Sequence, residues 1–271
     1  MVKLRFNLLA GGFIMAVVAT AALTALVWTP HDPLALGFTT RLKAPGGAYL
    51  LGTDEFGRDL LSRLMAGAGP SLGISLLTVL TALAIGTTFG VTSGYWRGWP
   101  DRLLMMLNDA LMAFPGILLA LGLLAVLGAN VRGIVLALGL AFTPAVTRIV
   151  RGTVISVREK EFIDASRIMG NSELYTLVRH VLPNCLAPLI VLATSMLGWS
   201  LLAESALSFL GLGVAPPAPT WGNMLSASRT FLSQAPWLGI FPGLAISLTL
   251  LAMNLLGDGL RDILDPRMKG L

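Results

Sequence analysis

The chain has 271 residues, 55% of them hydrophobic and 12% charged, with a formal net charge of +5. Soluble domains carry about 25% charged residues, so a chain this poor in charge belongs to the membrane class. A single cysteine, Cys185, excludes an internal disulfide and a cysteine metal cluster, and His31 and His180 have no ligand-spaced neighbours, so no metal site is expected. The excess of Lys and Arg reads as a topology signal in contact with membrane lipid, not as a nucleic-acid footprint.

A spanning helix needs about 20 mostly apolar residues. Residues 6–30, 64–96, 110–131, 180–203 and 230–257 contain no Asp, Glu, Lys or Arg. A sixth candidate, 133–147, is shorter, but Arg132 and Arg148 flank it with stems that can snorkel to opposite interfaces. The pattern predicts an all-α membrane protein with six transmembrane helices, at about 7–28, 70–95, 111–130, 132–150, 186–208 and 236–257. The window 205–228 is also free of charge. Its middle, GLGVAPPAPTWG, would leave backbone groups unpaired in lipid and therefore reads as a loop. Lys3 and Arg5 before an apolar run with Ala19-Thr20-Ala21 have the look of a cleavable signal peptide. The run continues to Trp28, longer than a signal core, and so predicts a retained span.

With the N-terminus inside, 13 Lys and Arg fall in inner segments and 6 in outer ones, which places both termini in the cytoplasm. The outer loops are then about 29–69 and 211–235, and the longest inner loop about 151–185. Residues 53–67 are expected to form an outer amphipathic helix, with Asp54 and Glu55 in its first turn and Asp59 paired with Arg63. It would rest at the interface or meet a substrate-delivering protein. Trp221 reads as an interfacial anchor within a stiff outer segment that could serve as gate or landing surface. Asn108 and Asp109, before Phe114-Pro115, are expected to start the third span. Asp258, Arg261, Asp262, Asp265 and Arg267 read as a solvated structural network, with possible contact to a cytoplasmic partner.

Glu204, in LLAESALSFL, is the notable carboxylate within a span, where it costs about 2.5–3.5 kcal/mol near the bilayer centre. Two readings stay open: it faces a translocation path and meets a substrate amine, or it reaches water or pairs with Ser205 or Ser208.

The inner stretch EFIDASRIMGNSELYTLVRHVLPN (161–184) is polar beside its surroundings and reads as two short helices. Phe162, Ala165 and Met169 form an apolar stripe, and Asp164 can pair with Arg167. Gly170 suits the left-handed end of the first helix, Asn171 or Ser172 can cap the second, and Pro183 is expected to stop it. The pattern fits a helix pair lying on the bilayer or one docking a cytoplasmic partner.

The spacing Asp164-Ala165-Ser166, three residues, Gly170, then Leu182-Pro183 resembles the cytoplasmic EAA loop of ABC-importer permeases. Asp164 stands for the usual Glu, Ser166 for the second Ala, and His180, with Val181 beside it, for an apolar position. Residues 51–73, 208–225 and 257–270 are similar to signatures of one branch of that family, although Gly69 stands where many relatives have Arg. That branch holds the second of the two paired permease subunits of dipeptide, oligopeptide and nickel importers. The resemblance implies a type I ABC-importer permease fold in the bacterial inner membrane. It implies four partners: a homologous permease, two ABC ATPase subunits that bind ATP and Mg, and an extracytoplasmic solute-binding protein. It also implies that Asp164, Ala165, Ser166, Gly170, Leu182 and Pro183 belong to a coupling loop on the ATPase. The transported solute would be a peptide or related small molecule, with nickel or a metal chelate as the alternative.

No Gly-Lys dipeptide occurs, so no phosphate-cradling GxxxxGK[ST] loop is present and no cofactor is expected on this chain. No nucleophile stands beside a base, so the chain reads as a transport subunit and not an enzyme. An ion-coupled secondary transporter would place several ionisable residues inside its spans, whereas Glu204 is nearly alone. A non-transporting anchoring protein would fit the helix pair equally well.

Overall fold

The computed structural model describes residues 2–264, without the side chains of residues 2–5. Lys3 and Arg5 of the charge tally, and Asp265, Arg267 and Lys269, therefore lie outside the described side chains. Ten α-helices and no β-strand make up the described residues. They are α1 (Val2–Thr24), α2 (Leu60–Trp96), α3 (Trp99–Met112), α4 (Gly116–Leu127), α5 (Val131–Arg158), α6 (Glu161–Ile168), α7 (Glu173–Thr176), α8 (Leu182–Phe209), α9 (Trp221–Ser228) and α10 (Trp237–Leu264). Five helical segments are long and apolar enough to cross a membrane, and a sixth crossing is made if α3 and α4 count as one.

α1 and α10 run antiparallel. Leu8 lies against Gly259, Gly11 against Ala252 and Leu255, and Val18 and Ala22 join the cluster that holds Leu238. The start of α1 and the end of α10 consequently share one side of the membrane. α2 and α5 pack through a glycine stripe: Gly86, Gly90 and Gly94 face Val146, Val150 and Val154. Small residues at that spacing let two backbones approach, which is how helices gain contact in lipid.

The third span is not one helix. α3 and α4 meet at 96° across Ala113-Phe114-Pro115. Pro115 lacks an N–H and disfavours helical backbone at Phe114, so the charge-free run breaks there. α4 has 12 residues, about 18 Å of rise against a core of about 30 Å. Asn108 and Asp109 therefore end a helix and do not start one. Asn108 is buried, and Asp109 accepts from Arg148 at 2.7 Å. Arg151 donates twice to Asp101, at 2.7 and 2.8 Å. With those cations paired, α5 continues past the expected end at 150 to Arg158.

The outer segment also departs from expectation. Residues 53–59 are not helical, and α2 begins at Leu60 with Asp59 as its cap, accepting from the Ser62 N–H at 2.9 Å. Asp54 organises the preceding turn. Its Oδ1 accepts the N–H groups of Phe56 and Arg58, and its Oδ2 accepts Arg58 Nε at 2.6 Å, with Arg63 Nε at 3.4 Å. Arg63 pairs with Asp54 instead of Asp59, so this segment is an ion-paired cap and not an interfacial helix. Burial, the largest cause, raises the Glu55 carboxyl above its ordinary value despite nearby Arg58 and Arg63. Two of the six outer cations, Arg58 and Arg63, are thus paired locally.

The 211–220 loop ends in a capping box, Thr220 with Asn223, that starts α9. Trp221 is not an interfacial anchor. It is 2% exposed, its indole Nε1 donates to Leu64 O at 2.9 Å, and its N–H donates to Ser71 Oγ at 3.0 Å. Trp221→Phe keeps most of the apolar contact and loses one hydrogen bond, so it should cost about 1 kcal/mol. A lowered thermal-unfolding midpoint in detergent reads this out, and no shift would show the indole N–H to be idle.

Candidate functional site

The inner loop is built from both ends. Arg158, the last residue of α5, donates from Nη1 to Tyr95 O near the end of α2. Arg97 Nη2 reaches Glu159 Oε1 at 2.9 Å, and Tyr95 Oη donates to Glu173 O at 3.5 Å. Tyr95 is 2% exposed and clusters with Ile163, Leu177, Val181 and Cys185. The corner between α2 and α3 therefore holds the base of α6 and α7. Tyr95 and Arg158 carried no sequence signal, because their partners lie over 60 residues away.

α6 ends as its sequence requires. Gly170 has φ +79°, its N–H donates to Arg167 O at 2.9 Å, and the Asn171 N–H donates to Ser166 O at 3.2 Å. This paired closure is the Schellman arrangement, which needs the left-handed residue glycine supplies. Ser172 caps α7, accepting the Tyr175 N–H at 3.2 Å. Pro183, however, does not stop the second helix. α7 passes through a π-helical turn, Leu177–Val181, straight into α8, with the Leu182 N–H donating to Leu177 O. A widened turn accommodates the donor that proline lacks. Glu173–Phe209 is consequently one continuous helical rod.

Each motif residue now has a place. Asp164 and Ala165 are exposed, and Arg167 Nη1 approaches Asp164 Oδ1 at 3.5 Å. Ser166 is buried, sharing a 3.0 Å hydrogen bond with Thr176 and accepting from Asn171 Nδ2 at 3.2 Å. The departure from alanine is thus satisfied inside the chain and does not disturb the outer face. At the expected apolar position His180 sits beside Phe162 and Tyr175, at ring distances of 6.3 and 5.9 Å, while Val181 supplies the fully buried side chain. Leu182 packs on the same cluster as Tyr95. The stripe Phe162, Ala165 and Met169 faces outward, and the buried face of α6 is Ile163 with Ser166. Ile168 and Met169 are 86% and 80% exposed, with Leu174, Tyr175 and Val178 also exposed. An apolar surface rigidly held at its base is suited to receiving another protein.

Beside the loop, a cavity of about 920 Å³ opens between α5, α8 and α10, with Pro183 in its lining. Glu204 is not among its lining residues. Its carboxylate is wholly buried near the outer end of α8, where Oε1 accepts from Ser208 Oγ at 2.8 Å and Oε2 has no partner among the described residues. Gly222 of α9 packs directly on Ser205 and Ser208.

Spanning helices, paired inner cations and a capped two-helix loop with an exposed apolar face define a multi-pass membrane protein. Residues 86–270 match the family of binding-protein-dependent transport system inner membrane components. A putative peptide transport system permease protein of Brucella suis biovar 1 is 44% identical over 96% of this chain and 87% of its own length. The dipeptide transport system permease protein DppC of Alkalihalophilus pseudofirmus is 42% identical over 95% and 83%. The glutathione transport system permease protein GsiD of Pectobacterium atrosepticum is 42% identical over 96% and 86%. A chain of the MetNI methionine ABC transporter in an inward-facing conformation shares the fold. Its TM-score is 0.60 at 15% identity, over 75% of this chain and 96% of that one. The chain belongs to the binding-protein-dependent inner membrane component family: it is a multi-pass permease subunit of an ABC transport system in the bacterial inner membrane.

Proposed function

We propose that this permease forms half of an import path for peptide-class solutes, and that residues 161–184 couple it to ATPase subunits. The supporting observation is the loop itself, apolar on its free side and tied through Tyr95, Arg158 and the continuous α7–α8 rod to three spanning helices. A homologous permease completes the path, and an extracytoplasmic receptor loads it from the outside. Two ATPases, carrying the ATP and Mg, press on the loop as they close. A push on α7 moves α8 directly, so ATP binding shifts the population between outward and inward access. Peptides are favoured over nickel because the relatives above are named for peptide, dipeptide and glutathione transport.

The test is co-expression of this tagged chain with its neighbouring genes, purification in mild detergent, and dipeptide uptake into proteoliposomes. An ATP-binding subunit and a second permease should co-purify, and uptake should require ATP and the receptor. A chain that purifies alone and moves solute without ATP would refute the proposal.

A further inference from the structure

We propose that the cavity between α5, α8 and α10 is a release site for solutes with a free carboxylate, received at its inner mouth by Lys160 and Arg261. This rests on the peptide-permease reading and deepens it by naming the chemistry recognised before the solute leaves.

The volume, about 920 Å³, lies in the range of small-molecule sites. Its polar lining residues are Thr153, Ser156, Lys160, Asn184, Ser195 and Arg261. Lys160 follows the inner end of α5 and Arg261 lies near the inner end of α10, so both cations line the cytoplasmic mouth. Thr153 and Ser195 line the wall further into the membrane, on the adjoining stretches of α5 and α8. The Thr153 hydroxyl donates to Ile149 O at 2.9 Å and that of Ser195 to Val191 O at 3.5 Å. Their hydrogens are therefore turned to their own helices, leaving oxygen lone pairs as acceptors. No carboxylate lines the cavity among the described residues. Glu161, Asp258 and Asp262, the nearest in sequence to the two cations, are not part of its wall.

Cations at the mouth and neutral acceptors deeper match a zwitterion lying along α5 with its carboxylate leading inward. From Thr153 to Lys160 is seven residues, about 10 Å along the last turns of α5 and just past its end. An extended di- or tripeptide spans about 7–10 Å, so its ammonium reaches the acceptors while its carboxylate meets the cations. Ile149, Val191 and Leu192 give the side chains apolar walls. The same cations could hold a phospholipid headgroup. The acceptor-lined depth favours the peptide, since acyl chains have no use for it.

The complete transporter in nanodiscs, without ATP, would be exposed to a photoreactive dipeptide and to its C-terminal amide, and the cross-links mapped. The free acid should label segments 149–157 and 183–195, and the amide about fivefold less, as for a partly solvated ion pair. Arg261→Gln and, separately, Lys160→Gln should bring the free acid down towards the amide. Equal labelling by acid and amide, or labelling unchanged in both variants, overturns the proposal. So does phosphatidylglycerol that blocks labelling and is retained by wild type but not by Arg261→Gln in native mass spectrometry. ATP-driven uptake of the same dipeptide is measured in parallel. Uptake without carboxylate-dependent labelling removes the release site alone, whereas no uptake by the wild type removes the peptide reading beneath it.

Discussion

Gly170→Trp is expected to lower ATP-driven uptake at least about a hundredfold while the chain still inserts and folds. Two features separate coupling from stability here. Gly170 sits at φ +79°, and nothing among the described residues lies within 4 Å of where its Cβ would be. A side chain at that φ costs about 1–2 kcal/mol, a local strain that the end of an exposed helix can absorb. The indole then projects beside the exposed Ile168 and Met169, into the space assigned to the ATPase in the proposed coupling. Losing about 3 kcal/mol of docking energy weakens that contact about a hundredfold. The readouts are co-purification of the ATPase, thermal unfolding of the isolated permease, and uptake. Gly170→Ala shares the strain without the bulk and should keep most of the transport. Normal transport by the tryptophan variant would sink the coupling role, and a misfolded alanine variant would show that strain alone explains the loss.

The long helices were legible because lipid forbids charge, so charge-free runs marked them. Their ends were not, because ends are set by partners. The start of α2 depends on Asp59 as cap and on Arg63 being neutralised by Asp54, a contact nine residues away in an irregular turn. The end of α5 depends on Arg148 and Arg151 finding Asp109 and Asp101 on another helix. The break at Pro115 did have a local signal, which the absence of charge over 110–131 overrode. In the 161–184 loop, caps were readable since Gly170 and Ser172 act on their own helices. The direction of the stripe was not. Phe162, Ala165 and Met169 form a helical face, but periodicity cannot say whether a face is buried in this chain or reserved for another one. Exposure decided it, and Ile163, held in the cluster around Tyr95, turned out to be the inward residue.

The glycine stripe of α2 carries the other large effect. A methyl at Gly90 would lie 2.7 Å from Val150 Cβ and 2.8 Å from Thr147 O, and at Gly86 it would lie 2.5 Å from Val146 Cβ. Val146, Val150 and Val154 are fully buried, so their side chains have no room to swing clear of an added methyl. Gly90→Ala should therefore cost about 1–3 kcal/mol through overpacking. Gly90→Leu should exceed what the pair can accommodate and leave little folded protein, as judged by fluorescence-detected size exclusion. Gly73→Ala, on the same helix with nothing among the described residues within 4 Å of its Cβ, separates crowding from any general effect of removing glycine, and should be near neutral. Trimming the opposing side chain in Gly90→Ala/Val150→Ala should recover part of the loss, since the two positions touch and their effects are not additive. If Gly90→Ala unfolds at the same temperature as Gly73→Ala, the close approach of α2 and α5 is not a source of stability. The stake is functional as well. α2 carries Tyr95 and α5 carries Arg158, the two residues that hold the base of the 161–184 loop, the proposed coupling element. A loosened α2–α5 pair would let that base shift independently of the spans, so Gly90→Ala should lower uptake per ATP hydrolysed even where enough folded protein survives to be assayed.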